Sequence, residues 1–572
     1  MSQLSTFRKS LPMIYLYTTP GIPSHDGWSK IGYTEQNPEN RIAQQTKTAG
    51  IPTKTEWTEF AFYKDNSGLS FTDDDFKDFL DSKGINHKNQ FGENGESIGD
   101  EWYQISPEQA KAYFEEFCQK PSIEKRLRTY KLRSEQQDAV KETTEAVKEG
   151  NEKSFLWNAK PRFGKCLSCY DFIKAIDAKK VLIVTNRPAV VNSWYDDYMK
   201  FMGRESGYFF VSHLSDVKGK DGVIDYPEYE SDSKKRKEGG LDPVGILYFV
   251  SLQDIKSSIC FGGDYQKLQE IAAVKWDVMV VDESHEGVDT WKTDAAFDRI
   301  HRNFTLYLSG TPFKAIKDEK FDAEAIYNWT YIDEQEVKEG WNGNGANPYL
   351  QMPKLHMMVY RLANIIGEAS PDLTDDDEVS ESRLNEFFRT VSYKNADGKI
   401  QPRFVYDADV DKFLDVISSD SKYPFGDETM RNQFKHTFWL LYRVDSAKAL
   451  CEKLKNHPVF SQYKIILAAG DGKTDDDEKA YKSAYQAVTT AIAENDKTIT
   501  LSVGQLTTGV TIPQWTGVLM LSERNSAAEY MQASFRVQNP YVFMQKNQMT
   551  GQIEHFRKTD AFVFDFNPEH TL

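Results

Sequence analysis

Apolar positions along this chain fall into two patterns. Up to about residue 118 they sit in short, mixed segments; from Leu132 onward they gather into compact runs separated by amphipathic stretches. The first pattern predicts a strand at Ile14–Tyr17, a turn-rich stretch at Pro20–Pro23 and a second strand over Lys30–Thr34. A helix over Glu39–Thr46 follows, opened by Pro38, where a missing N–H costs nothing. Next come an aromatic strand, Trp57–Tyr63, the pair Trp102-Tyr103, and an amphipathic helix from Pro107 to Phe117. Gln119–Lys131 is a charged connector.

The second pattern predicts strands at Ser154–Trp157, Val181–Thr185, Ile246–Val250, Trp276–Asp282 and Thr305–Ser309. A second series reads Thr437–Leu441, Lys464–Ala468, Thr498–Val503, Gly517–Leu521 and Ala561–Phe566. Each run is short and almost continuously apolar, as strands buried on both faces of a parallel sheet should be. Two such series predict two open α/β lobes, with sites at the carboxyl ends of their strands. Between them, Phe321–Asn432 reads as a linker with an inserted subdomain and carries the acidic run Asp375-Asp376-Asp377-Glu378. The charged insertion Tyr226–Leu241, with Lys234 to Lys237, reads as a solvated loop tip. The expected plan is a small α+β unit at 1–118, a linker at 119–131, a first lobe at 132–335, a linker and subdomain at 336–431, and a second lobe at 432–572.

Composition narrows the class. A length of 572 residues suits about four domains. No run of eighteen apolar residues occurs, so no membrane span is expected. The start, MSQLSTFRKSLPMIYLY, lacks the long apolar stretch of a secretory signal. Five cysteines argue against a disulfide framework and for a reducing cytoplasm. Cys166 and Cys169 form a Cys-x-x-Cys without the second pair that zinc would need. With 70 basic and 87 acidic residues the net charge is -17, which excludes passive electrostatic coating of nucleic acid. Any such binding must use local patches.

The candidate chemistry begins after Ser154–Trp157, at Ala159-Lys160-Pro161-Arg162-Phe163-Gly164-Lys165-Cys166. This approximates a phosphate-binding loop, in which backbone N–H groups at a helix N-terminus cradle phosphates and the lysine reaches the β/γ-phosphates. Ala159 stands where the first glycine is usual. Cys166 stands where a hydroxyl normally serves Mg²⁺, and a thiol is a soft ligand for a hard ion. The strand Trp276–Asp282 ends in two carboxylates, Asp282 to carry Mg²⁺ and Glu283 to orient the attacking water.

Asp282-Glu283-Ser284-His285 resembles the DEAH-type box of superfamily-two helicases, and other blocks fall in that family's order. Leu132 to Gln136 resembles the adenine-reading motif, with Gln136 as its glutamine. Asn186-Arg187 and Ser309-Gly310-Thr311 resemble motifs that touch the nucleic acid or couple it to ATP. Thr508-Gly509 lies in a segment resembling motif V, and Gln532 to Asn539 resembles motif VI. The resemblance implies two RecA-like lobes binding ATP and Mg²⁺ between them, with Pro161, Arg162, Phe163, Gly164, Lys165, Cys166 and Gly509 around the nucleotide. It implies His285 and Thr508 in coupling and Arg536 on the transition-state charge. Asn539 stands where the family has its last arginine, so Arg536 carries that role alone or turnover is slow.

Ile14-Tyr15, Lys30-Ile31-Gly32, Arg41 and Glu101-Trp102-Tyr103 resemble the phage-type branch of the GIY-YIG nucleases. That resemblance implies metal-assisted phosphodiester hydrolysis: Tyr15 on the water, Lys30 in the second tyrosine's place and Arg41 on the phosphate. The family's glutamate falls on a helix that here offers Asp73, Asp74, Asp75 and Asp78, with Glu101 as the other metal candidate.

The expected function is an ATP-dependent DNA helicase or translocase joined to a GIY-YIG-type endonuclease, in restriction or phage defence. It would take in double-stranded DNA, track a single strand, and use further domains or subunits. Two alternatives stay open: a motor whose N-terminal domain only binds DNA, and a nucleotide-gated assembly factor with weak ATPase. The sequence stops just after the last strand of the second series, so a fragment of a longer protein is expected.

Overall fold

The computed structural model describes the chain apart from residues 1–4, 36, 47–50, 65–69, 92–96, 120–131, 151, 187–189, 204–205, 241–243, 283–290, 311–320, 342–345, 367–382, 395–397, 399, 469–476, 508–509, 524–526, 548, 552 and 568–572. The acidic run Asp375 to Glu378 lies outside the described residues.

Both apolar series form parallel sheets. The first has eight strands, in spatial order Val223–Ile224, Tyr208–Val211, Gly245–Ser251, Lys180–Thr185, Trp276–Asp282, Arg302–Ser309, Ser154–Ala159 and Ile326–Trp329. Its central strands are buried residue after residue, as their unbroken apolar sequence requires. The second has six, in the order Lys354–Val359, Asp560–Asp565, Gly517–Met520, His436–Leu440, Thr498–Ser502 and Lys464–Ala468. Each sheet has an apolar core on both faces.

Strands outside the two predicted series complete both sheets. Ile326–Trp329 pairs with Ser154–Ala159, and Lys354–Val359, inside the stretch read as linker and subdomain, pairs with Asp560–Asp565. Lys354–Val359 is a half-exposed edge strand, so it lacks the apolar signature of its neighbours. Within the intervening stretch, Thr390–Lys394 and Ile400–Phe404 make a separate antiparallel hairpin.

The insertion around Lys234 is corrected: Tyr226–Glu238 is a helix, capped by Asp225 accepting from the Glu228 amide. Its basic residues occupy the last turn, where cations complement the helix dipole.

The N-terminal unit is a five-stranded sheet, ordered Lys54–Phe60, Met13–Thr18, Ser29–Thr34, Ser97–Tyr103 and His87–Phe91. Strand alternation gives it two faces. Ile14, Leu16 and Ile31 pack under the helices Asp73–Ser82 and Pro107–Cys118, through Phe76, Leu80 and Phe114. Tyr15 and Tyr17 face the other way, onto Ile42 of the helix Pro38–Thr46 and onto Trp102.

This unit is docked on the second lobe. Phe7–Lys9 joins the hairpin Val542–Lys546/Ile553–Lys558 as the outer strand of a three-stranded sheet. The Thr6 amide donates to Gln433, and Phe62 stacks on His555 with ring centroids 3.7 Å apart. Arg557 pairs with Glu35, which also accepts from the Tyr33 and Ser10 hydroxyls.

Candidate functional site

The strand Ser154–Ala159 runs into the loop Lys160–Gly164 and then the helix Lys165–Ala175, so the loop sits at the carboxyl end of a central strand. Two left-handed residues shape it, Arg162 at φ 74° and Gly164 at φ 91°. At Gly164 only glycine fits: a Cβ would collide with Gln136 Nε2. The loop is clamped from outside. The Phe163 carbonyl accepts from Gln136 Nε2 at 2.6 Å and from the Arg133 guanidinium at 2.7 Å. Gln136 Oε1 accepts from the Arg133 amide at 2.8 Å, and the side chain is fully buried. Both ends of the Gln136 amide are thus used inside the protein.

Lys165 Nζ donates back to the Ala159 carbonyl at 2.9 Å. Asp282 ends its strand two places away in the sheet, and Ser309, fully buried, ends the strand between them. The neighbouring Gly310 lies against Pro161. Asp282 Oδ2 accepts from Trp194 Nε1 at 2.8 Å. Trp194, otherwise a core side chain, therefore orients the carboxylate, a role the sequence reading missed. Cys166 lies near enough for the Asp282 charge to act on it; burial first, and that charge second, push its thiol well up. A protonated thiol is no ligand for Mg²⁺. Among the described residues no group of three or more His, Cys, Asp or Glu gathers as a metal cage.

The second lobe contributes from the opposite side. The helix Ala527–Ser534 passes into the short turn Phe535–Gln538. Arg536 donates to the Val510 carbonyl at 2.5 Å, tying the two expected motifs of this lobe together. Asn539 is fully buried, and its amide donates to the Ile512 and Arg536 carbonyls, so it faces its own lobe. Across the cleft the buried Lys160 pairs with Glu334 at 2.7 Å and lies 5.7 Å above the Phe535 ring. Glu334 accepts in turn from Gln538 Nε2. Lys160, Glu334 and Gln538 thus stitch the phosphate loop to the second lobe, and no local motif announces them. Burial lowers the Lys160 ammonium to about 8 despite Glu334.

Asn186 sits half-buried just past the strand Lys180–Thr185. Arg187, Glu283, His285, Thr311, Thr508 and Gly509 lie outside the described residues.

In the N-terminal unit the Tyr15 ring lies directly on Gly32, where any Cβ would strike it, and its hydroxyl donates to Gln45 at 3.1 Å. Lys30 Nζ lies 5.9 Å from the Tyr17 ring centroid. Arg41 is half-buried beside Ile42 on the helix that covers this face. Tyr15, Lys30 and the Arg41 helix therefore share one face. His25 joins it, 4.4 Å from the Trp102 ring and bonded to Thr19. The helix that carries Asp73, Asp74, Asp75 and Asp78 does not cover this face. It packs on the opposite side of the sheet; Asp75 caps the helix and Asp73 pairs with Lys77. The Glu101 backbone lies in the strand Ser97–Tyr103, and its side chain is outside the described residues.

Comparisons with known proteins agree with a loop-bearing α/β lobe and a separate N-terminal unit. Residues 129–314 match the family described as type III restriction enzyme, res subunit, and residues 13–118 match the T5orf172 domain. The first of these matches spans most of the first lobe. A Mycoplasma pneumoniae protein, provisionally described as the C-terminus of the type II restriction enzyme and methyltransferase RM.MpnORF110P, is 24% identical over 465 residues. That alignment covers 72% of this chain and 61% of the relative. Among solved structures, the DNA-bound ATP-dependent Type ISP restriction-modification enzyme LlaBIII aligns with TM-score 0.45 and 14% identity, over 77% of this chain and 28% of that one. The Sulfolobus solfataricus SWI2/SNF2 ATPase core with double-stranded DNA aligns with TM-score 0.29 and 12% identity, over 76% and 88%. Scores that low do not establish a shared fold; the architecture rests on the sheets themselves. No helix of the described residues is long and apolar enough to cross a membrane.

Proposed function

We propose that this chain is an ATP-dependent DNA motor of the restriction type, with a GIY-YIG-like nuclease domain on its second lobe. One observation carries the reading: a glycine-shaped phosphate loop at the carboxyl end of one parallel sheet meets an arginine-bearing turn from a second parallel sheet. The described residues fit a nucleoside triphosphate, with Lys165 turned onto a loop carbonyl that a phosphate would replace, and Arg536 opposite. Mg²⁺ would rest on Asp282, since Cys166 does not suit it. Glu283 would orient water, and closure and opening of the lobes would step them along a strand. The matched restriction family and the Mycoplasma relative support DNA as the track.

The direct test is ATP turnover with and without DNA, in wild type and Lys165→Ala. We expect DNA-stimulated turnover that the substitution abolishes; turnover indifferent to DNA would sink the motor. A second reading, a motor whose N-terminal unit binds DNA without cutting it, is favoured by the helix Asp73–Ser82 packing away from Tyr15. Plasmid cleavage with Mg²⁺ or Mn²⁺ separates the two, with Arg41→Ala as control.

A further inference from the structure

The cleft between the lobes gathers several cationic side chains. Arg162 feels Arg536 and also acts on Lys160 and Lys558, and Glu334 is the acid that acts on both Lys160 and Arg162. Glu334 is already committed to Lys160 and Gln538. Lys558 is fully buried and donates to the Pro513 and Trp515 carbonyls, with no carboxylate. Arg162 has no hydrogen bond or ion pair among the described residues, and its Nε is buried without a partner. A guanidinium, weakly hydrated but always charged, is costly to leave so. Burial, and then the neighbouring Arg536, lower it to about 9. Arg162 also holds a left-handed backbone at φ 74°, an uncommon conformation for a side-chain-bearing residue.

The geometry points to Arg162 as a phosphate-contacting residue, a second guanidinium that with Arg536 closes on the terminal phosphate of a nucleoside triphosphate. This rests on the ATP-motor reading above. It supplies from the phosphate loop the charge that Asn539, turned into its own lobe, cannot. Without a terminal phosphate, Arg162 and Arg536 oppose one another across the cleft and favour opening. With it, one dianionic group with three terminal oxygens answers both, by charge-assisted hydrogen bonds of the kind guanidinium groups make best. The γ-phosphate is thereby read by two lobes at once, through one arginine from each.

The test compares wild type, Arg162→Gln, Arg162→Lys and Lys165→Ala, measuring equilibrium binding of ADP and a non-hydrolysable ATP analogue, and the melting temperature with each. Wild type should prefer the triphosphate by about tenfold or more, the scale of one charge-assisted contact. Arg162→Gln should lose that preference while binding ADP as before, and should melt no lower than wild type without nucleotide, because a like-charge opposition is gone. Arg162→Lys should keep part of the preference, and it decides the matter if the glutamine variant does not fold. An unchanged preference in Arg162→Gln, with Lys165→Ala weakening both nucleotides, would overturn the role of Arg162 and leave the ATP site standing. An equal loss of both nucleotides with a lowered nucleotide-free melting temperature would make Arg162 a structural brace. Wild type binding neither nucleotide would remove the motor reading itself, and this inference with it.

Discussion

The phosphate loop and the Tyr15 face each depend on a glycine, yet they leave their polar groups in opposite states. Around the loop, Lys165 rests on a carbonyl, and Arg162 Nε is buried and unpaired with another guanidinium, Arg536, near enough to act on it. On the Tyr15 face the tyrosine ring is seated on Gly32, its hydroxyl is bonded to Gln45, and Tyr17 and Trp102 pack edge to face. The first site is assembled from segments of two lobes and leaves Arg162 Nε buried without a partner. The second is built within one small sheet and is internally satisfied. Unbalanced buried charge is costly, so where it persists it marks a place for a charged ligand. A satisfied aromatic face gives no such sign, and its chemistry has to be found by experiment.

The largest effect should come from Gly164→Ala. The substitution forces a left-handed alanine and drives its Cβ into Gln136 Nε2, so the clamp on the Phe163 carbonyl or the loop must yield. Nucleotide affinity should fall roughly a hundredfold, with the N-terminal unit unaffected. Calorimetric titration with an ATP analogue reads the first, and plasmid cleavage or DNA binding reads the second. Unchanged affinity would mean that the loop is not the phosphate site.

The reverse experiment is Gly32→Ala. Its Cβ meets the Tyr15 ring, which is buried and cannot swing clear without losing Gln45. We expect about 2–3 kcal/mol of lost stability confined to the N-terminal sheet, the usual cost of overpacking. Hydrogen exchange should show it over Met13–Thr18 and Ser29–Thr34, with ATP turnover unchanged. A matching fall in turnover would show that the two regions are not independent.

What could be read from sequence follows the same division. Buried parallel strands announce themselves because both faces are apolar, so Trp276–Asp282 and Thr498–Ser502 were legible residue by residue. Edge strands such as Lys354–Val359 are half polar and were not. The strand, loop and helix around Gly164 were legible because they run through contiguous residues. The loop's supports were not: Lys160 and Glu334 lie 174 positions apart, and Trp194 and Asp282 88. The placement of the helix Asp73–Ser82 has a different cause. The acids there suggested metal chemistry, but the apolar stripe Phe76, Phe79 and Leu80 fixes which side of the sheet the helix covers.

The smallest effect concerns the joint between the two regions. Glu35 directly follows the strand that carries Lys30 and Gly32, and Arg557 belongs to the hairpin next to the buried Lys558. Both partners are largely buried, and Glu35 keeps the Tyr33 and Ser10 hydroxyls if Arg557 is lost. The backbone pairing of Phe7–Lys9 would also survive, so removing one ion pair should loosen the joint without parting it. A double-mutant cycle of Glu35→Ala and Arg557→Ala, read by thermal unfolding, should give a coupling energy of about 1–2 kcal/mol. Additive effects would mean that the ion pair contributes nothing to docking, and that the N-terminal unit rides on the second lobe through its added strand and the Phe62–His555 stack alone.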